Sequence, residues 1–226
     1  MKVVISGASG KMGVEIKKLI AADSSMQYLG GFGLKENPTE KVVSDPTALP
    51  KGASVVIDFS SPDSMMAIAE WCEKNKVPLV SGTTGIQEEH KKFLKKISQN
   101  IPVLWAPNTS VGVNFLKKLL AQLQIPEGFD IQITEYHHSQ KKDKPSGTAI
   151  LLEDALKNKN KITEPTLSIR GGGIFGIHRI DLMAGEETIS IEHNALSRAV
   201  FAKGALTAAR WLTQKPPGLY SMEDVL

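Results

Sequence analysis

Lys2-Val3-Val4-Ile5-Ser6-Gly7-Ala8-Ser9-Gly10-Lys11-Met12-Gly13 opens the chain, and it reads as strand, glycine-rich turn and helix start. Val3, Val4 and Ile5 form a short β-branched run of the kind that is buried in a parallel sheet. An amphipathic helix continues to about Ala22. Glycines in the turn permit positive φ and let the backbone approach a pyrophosphate, and the helix N-terminus favours negative charge. The spacing is G-x-x-G-x-x-G, not the commoner G-x-G-x-x-G of dinucleotide folds. Alone the glycines are weak evidence. Their place between the first strand and the first helix makes a phosphate cradle the better reading, because a plain βα turn rarely needs three.

Alternation continues outward from that unit. The second strand spans Met26 to Gly33, and Leu34-Lys35-Glu36 comes after it. Dinucleotide folds usually place an acid roughly 20 residues past the glycines to grip the adenosine ribose. No acid stands at this strand end. Lys35 lies where it could meet a 2′-phosphate, and it reads equally well as an ordinary solvated turn lysine. Ala53–Phe59, Val77–Ser81 and Pro102–Ala106 are further strands, separated by helices over Ser64–Lys74 and Glu88–Ser98, the second of them charged and exposed. Repeated βα units mean a parallel sheet with right-handed crossovers. Ligands in such sheets bind beyond the carboxyl ends of the strands. Four polar or glycine-rich turns, 7–13, 58–61, 82–85 and 107–110, fall at those ends.

The texture changes after a helix over Val113–Gln124. Phe129–Tyr136, Leu167–Arg170, Gly176–Ala184 and Glu187–His193 read as strands, with only a Thr148–Lys157 helix between them. The fold class expected is therefore α/β, a Rossmann-type parallel sheet domain plus an α+β domain with a mixed open sheet. The first domain takes 1–110 and 196–226, the second 111–195. Ala199–Leu212 is a helix that returns the chain to the first domain.

Within the second half, Glu135-Tyr136-His137-His138-Ser139-Gln140-Lys141-Lys142-Asp143-Lys144-Pro145-Ser146-Gly147-Thr148 packs two imidazoles and three lysines into one loop and ends where a helix starts. Imidazole exchanges a proton near neutral pH, lysine supplies fixed charge, and helix N–H groups bind anions. A loop with all three can hold a small acidic molecule and move a proton on it. On this stretch alone, a solvated basic loop is as good a reading. Adjacent strand residues face opposite ways, so His137 and His138 share a site only if the strand ends there. His90 is read as a solvent-facing residue, and His178 and His193 as structural hydrogen-bonding residues. Arg170 is either a substrate ligand or half of an ion pair.

Composition narrows the class. A chain of 226 residues can bury one large core or two small ones. No apolar run is long enough to span a bilayer, and the first apolar segment is the strand itself, so neither membrane span nor signal peptide is expected. The single cysteine, Cys72, excludes an intrachain disulfide, reads as a small buried residue and suits the cytoplasm. Net charge of +3 is spread without the basic stripe that nucleic acid needs. No His, Cys or acid has ligand spacing around the paired histidines, so no metal is expected.

In order, Gly7–Gly13, Asp58-Phe59-Ser60, Gly82-Thr83-Thr84-Gly85, Asn108–Asn114, His137-His138…Lys141…Asp143…Pro145-Ser146-Gly147-Thr148 and Gly218-Leu219-Tyr220 resemble the 4-hydroxy-tetrahydrodipicolinate reductase (dihydrodipicolinate reductase) family. The likeness spans essentially the whole chain, and its His-His…Lys…Pro-Ser-Gly-Thr block is highly specific. It implies a reductase of lysine biosynthesis that uses NADH or NADPH and acts on a small cyclic dicarboxylate. Gly7, Ala8, Ser9, Gly10, Lys11 and Met12 would wrap the pyrophosphate. Gly82, Thr83 and Thr84 would lie along the cofactor, and Ala106, Pro107, Asn108 and Thr109 would close over it. The resemblance also implies that His137 is the general acid/base and Lys141 the proton donor. His138, Gly147 and Thr148 would hold the substrate carboxylates, and the protein would be a homotetramer joined through its second-domain sheets.

The chain departs from the family pattern at Ser139 and Gln140, where many relatives carry Arg and an aromatic or His, and at Thr109, where an aromatic is common. Two other functions compete with the reductase. One is a nucleotide-sensing regulator without turnover, which gives the His-Lys loop no use. The other is a different small imine or amino-acid dehydrogenase, separable by its substrates.

Overall fold

The computed structural model describes residues 1–156 and 164–226. In chain order they form β1 (Lys2–Ser6), α1 (Lys11–Ala21), β2 (Gln27–Phe32), β3 (Val42–Val43), β4 (Val55–Asp58), α2 (Pro62–Asn75), β5 (Leu79–Ser81), α3 (Glu88–Ile97), β6 (Pro102–Trp105), α4 (Val111–Gln122), β7 (Asp130–His137), α5 (Gly147–Leu156), β8 (Leu167–Arg170), β9 (Ile177–Met183), β10 (Thr188–Asn194), α6 (Ala199–Leu212), β11 (Gly218–Tyr220) and α7 (Met222–Val225). Lys157, the expected last residue of the second-half helix, lies outside the described residues.

Two compact units result: Met1–Ser110 with Phe201–Leu226, and Val111–Val200. In the first, seven strands run in the order β11-β6-β5-β4-β1-β2-β3. Every pairing is parallel. The chain builds outward from β1 through β2 to β3, then crosses to β4, so the topological switch lies between β1 and β4. Val3, Ile5 and Ile57 face a core shared with Ile16, Ala205 and Leu212, from α1 and α6. Val4 and Val56 face the opposite core with Ile68 of α2 and Leu94 of α3. Burial on both faces is why these strands read as continuous apolar runs.

α3 corrects the sequence reading. It is not an exposed helix: His90, Leu94 and Ile97 are buried on one side. His90 Nδ1 accepts the Gln87 N–H at 2.9 Å, so the imidazole caps the helix start and does not face solvent. β3 escaped the sequence reading because two residues are too short a run to show a period.

The second unit has a mixed sheet in the order β10-β9-β7-β8. β8 is parallel to β7, while β9 is antiparallel to both β7 and β10. Ile131, Ile133, Ile180 and Leu182 pack against Leu116 and Leu120 of α4 and Leu152 and Leu156 of α5. Each such side chain contributes about 1.5–3 kcal/mol by leaving water. The return to the first unit comes at Phe201, later than the expected residue 196. The segment after β10 stays with its own sheet, where the Ala195 N–H donates to the Gly176 carbonyl at 2.8 Å.

Candidate active site

In the first unit the four turns do lie at strand ends. Gly7 needs its glycine twice over: its φ is +78°, and a Cβ there would lie 2.3 Å from the Phe59 carbonyl oxygen. At Gly13 a Cβ would fall 2.4 Å from the Gly7 oxygen. Gly10 is the N-cap of α1 and offers no side-chain acceptor, and no acid stands in the first turn. The first N–H groups of a helix have no partner within it, so Lys11 and Met12 present donors there. Other donors in the turn are already engaged. Gly7 and Ala8 N–H both donate to the Phe32 carbonyl, at 2.9 and 3.3 Å, and Gly10 N–H to the Gly7 carbonyl at 2.9 Å. Ala8 is wholly buried, whereas Ser9 and Lys11 are exposed. Of the glycine-turn set, Ser9, Lys11 and Met12 are therefore the open donors, and Ala8 serves as packing. Lys35 is exposed beyond the end of β2.

Behind the turns lies a polar hub that the sequence reading did not assign. Asp58 ends β4 and is fully buried. It accepts Ser60 Oγ at 2.5 Å, Ser81 Oγ at 2.8 Å and Thr83 Oγ1 at 2.6 Å. Burial pushes its carboxyl pKa up against those hydrogen bonds. Thr83 Oγ1 also accepts the Ser60 N–H at 3.1 Å, and its carbonyl accepts the Trp105 indole N–H at 3.0 Å. The Thr83 side chain is thus consumed in tying β4, β5 and β6 together, while Thr84 is exposed. Gly82 lies against the Phe59 ring, which a Cβ would meet at 2.3 Å. Ala106 and Asn108 are buried and Pro107 is exposed. Thr109 is buried and donates its hydroxyl to the Phe201 carbonyl at 2.8 Å, so its side chain acts in packing.

In the second unit β7 ends at His137, as a shared site for His137 and His138 requires. Glu135 and His137 are two apart on that strand and therefore point to one face. In register, Glu135 stands opposite Ser168 of β8 and His178 of β9, and His137 opposite Arg170. His137 Nδ1 lies 2.5 Å from Glu135 Oε2. Arg170 forks onto the same carboxylate, Nη1 to Oε2 at 2.9 Å and Nη2 to Oε1 at 2.7 Å. Of its two sequence readings, the ion pair is the one the structure contains. Burial works to raise the Glu135 pKa, but hydrogen bonds led by those of Arg170 outweigh it and bring it to about 2. Burial lowers the His137 pKa, and Glu135 opposes that shift.

Around this pair stand the loop residues. Ser146 caps α5, its Oγ accepting the Ala149 N–H at 3.2 Å. Its own N–H goes to Glu135 Oε1 at 3.2 Å, so the expected anion site loses Ser146 as a donor and begins at Gly147. Gly147 is exposed and Thr148 half-buried. Lys141 Nζ sits 2.8 Å from Asp143 Oδ2. The His178 ring meets the His137 ring edge-on at 5.2 Å, and its Nε2 is 3.3 Å from Ser146 Oγ. The expected structural hydrogen bond of His193 is missing at Nδ1, which is buried without a partner among the described residues. No group of three His, Cys, Asp or Glu side chains among the described residues is placed to hold a metal ion.

A parallel sheet with a glycine turn at its switch point is the plan of a dinucleotide-binding unit, and the chain adds to it a mixed-sheet unit carrying a buried Glu-His pair. Residues 1–109 match the family model described as dihydrodipicolinate reductase, N-terminus, and residues 112–226 match that of its C-terminus. The chain belongs to the dihydrodipicolinate reductase family. It is 42% identical over its whole length to the 4-hydroxy-tetrahydrodipicolinate reductase of Bdellovibrio bacteriovorus HD100, covering 96% of that protein. Identity to the Rickettsia rickettsii reductase is 35%, again over the whole chain and 98% of the relative. Dipicolinate-bound dihydrodipicolinate reductase from Paenisporosarcina sp. TG-14 has the same fold, with a TM-score of 0.79 at 21% identity over 100% of this chain and 99% of the other. The chain is an NAD(P)H-dependent 4-hydroxy-tetrahydrodipicolinate reductase by family, an oxidoreductase of the diaminopimelate route to lysine.

Proposed function

We propose that the first unit binds NADH or NADPH along the carboxyl ends of its strands and that the second binds the cyclic dicarboxylate at His137–Thr148. The glycine turn fits such a cofactor: Gly7 and Gly13 have no room for a Cβ, and the start of α1 carries neither cap nor acid. Gly7 to Met12 hold the pyrophosphate by backbone, with Ser9, Lys11 and Met12 giving the open donors. Lys35 reaches a 2′-phosphate when the nucleotide is NADPH. Gly82, Thr83 and Thr84 line the path to the nicotinamide, and Ala106, Pro107, Asn108 and Thr109 close over it. Bound there, the nicotinamide supplies the hydride.

The remaining work falls to the second unit. His138, Gly147 and Thr148 hold the substrate carboxylates, Thr148 and Gly147 through the start of α5. Lys141 attracts the dianion and supplies a proton, and His137 moves the proton at Nε2, the nitrogen turned away from Glu135. The observation that carries this reading is the His137–Glu135 contact of 2.5 Å in a cluster of hydrogen bonds that also takes in Arg170 and Ser146 at the start of α5. On the sheet face away from α4 and α5, Leu167 and Ile169 are exposed, and that face joins protomers into a homotetramer. No helix among the described residues is long and apolar enough to cross a membrane; the compartment proposed for the enzyme is the cytoplasm.

The test couples the protein to the upstream synthase, fed pyruvate and aspartate semialdehyde, and monitors loss of reduced-nicotinamide absorbance with each cofactor. Synthase-dependent oxidation is expected, and the two rates measure what Lys35 contributes. Nucleotide binding without oxidation would leave a sensor in place of an enzyme.

A further inference from the structure

The Glu135 carboxylate is a point where four donors converge. Oε2 receives His137 Nδ1 at 2.5 Å and Arg170 Nη1 at 2.9 Å. Oε1 receives the Ser146 N–H at 3.2 Å and Arg170 Nη2 at 2.7 Å. An ionised carboxylate offers about four lone-pair sites, so the set is full. Three of the donors have no choice, since a guanidinium and a backbone amide can only donate. Glu135 is wholly buried. The fourth contact must then also be a donor, which forces the proton of neutral His137 onto Nδ1.

We infer that Glu135, clamped by Arg170 and Ser146, is a positioning residue that fixes His137 as the Nδ1–H tautomer and so makes Nε2 the working nitrogen. This rests on the reading of His137 as the acid/base. Free neutral imidazole prefers its proton on Nε2, so the arrangement reverses the default and is open to measurement. Arg170 acts through Glu135: its Nη2 also donates to the Asp143 carbonyl at 2.6 Å and Nη1 to the Ile169 carbonyl at 2.8 Å, which commits both terminal nitrogens to the fold, while Nε is buried without a partner among the described residues. The charged or titratable groups facing His137 are Glu135 from β7, Arg170 from β8, His178 from β9 and Lys141 from the loop. Of these only Glu135 favours the imidazolium, so it also sets the pH at which Nε2 can carry a proton to give.

The first test reads the wild-type protein. Two-bond proton–nitrogen correlation spectra of the histidine-labelled chain at pH about 8, above the ordinary imidazole pKa, identify the tautomer, with His137→Gln assigning the signal. The Nδ1–H pattern is expected, and the Nε2–H pattern would overturn the inference. The second test is kinetic, on Glu135→Gln. A glutamine can accept at one position only, so kcat falls by about 10²-fold, the scale of a lost acid/base contribution. Nucleotide affinity is unchanged. The limb of the kcat–pH profile that reports protonated His137 moves to lower pH, and Glu135→Asp restores part of both. A merely structural carboxylate would lower kcat without moving that limb. Near wild-type turnover in His137→Gln would remove His137 from the reaction altogether. Loss of turnover in that variant, alongside a wild-type rate and profile in Glu135→Gln, would overturn the positioning role alone.

Discussion

Gly176 passes so close to His137 that a Cβ built on it would lie 3.0 Å from the imidazole Nε2. The same Cβ would lie 3.4 Å from His178 Cε1, so a side chain there would press on both rings. A residue with no side chain therefore borders the nitrogen proposed to transfer the proton. Gly176→Ala is expected to lower kcat by about 10-fold or more, since a methyl group shields or displaces the ring proposed as the acid/base, a role that contributes about 10²–10⁴-fold in enzymes generally. Nucleotide binding stays at the wild-type level. Steady-state kinetics with a parallel nucleotide titration check this, and unchanged kcat would show that Nε2 works from another direction.

Acid should unfold the protein partly through Glu135. Its folded pKa is about 2 against an ordinary 4.5. For a carboxyl whose pKa is depressed by folding, the stabilisation is complete above the unfolded value and is lost as pH falls through the folded one. The Glu135 contribution thus fades between pH 4.5 and about 2. Arg170→Met strands the buried carboxylate, costs about 3–5 kcal/mol at neutral pH and moves acid unfolding to higher pH. Denaturant unfolding at a series of pH values measures both, and an unchanged acid midpoint would contradict the role given to Glu135.

Gly7 is the glycine-turn position least able to change. Its φ of +78° and the 2.3 Å approach of a Cβ to the Phe59 carbonyl oxygen forbid a side chain without moving the turn. Gly7→Ala should weaken NADPH binding at least about 10-fold, equivalent to 1.4 kcal/mol. Isothermal titration decides it; wild-type affinity would mean that the phosphates do not use this turn.

Asp58→Ala is expected to cost about 3 kcal/mol, from the vacated volume and from three hydroxyls, Ser60, Ser81 and Thr83, that lose their acceptor in a buried site. The denaturant midpoint reads the loss. A change below about 1 kcal/mol would mean that the hydroxyls find other partners, since a typical hydrogen bond alone contributes that much.

Much of this was legible in the chain because it is local. Val3 to Ile5 read as a buried strand and are fully buried, and Ala199–Leu212 read as a helix with the bounds it has. Ser146 announced the start of α5, and the polar run from Ser139 announced the end of β7 at His137. Where the reading failed, partners far along the chain or the inward turn of a helix were responsible. His90 sits in a run of charges that reads as solvated, yet its own helix turns it inward to cap Gln87. The partner of Thr83 was hidden by distance along the chain, since Asp58, 25 residues earlier, holds its hydroxyl. Glu135 carried a usable signal, since Glu-x-His on a strand puts both groups on one face. What it lacked was any sign of Arg170, 35 residues on.

Taken by itself, the sequence determined the order of strands and helices apart from the shortest, the glycine turn at the first crossover and the closeness of His137, Lys141 and the α5 start along the chain. These depend on period, turn chemistry and capping, which act over a few residues. Tertiary structure alone decided which nitrogen of His137 is committed, that Arg170 belongs to Glu135, and that Ser146 gives its N–H to that carboxylate and not to a ligand. Those outcomes come from strand register, which sets Arg170 beside His137 and His178 beside Glu135, and from burial, which leaves each donor only the acceptors the fold supplies.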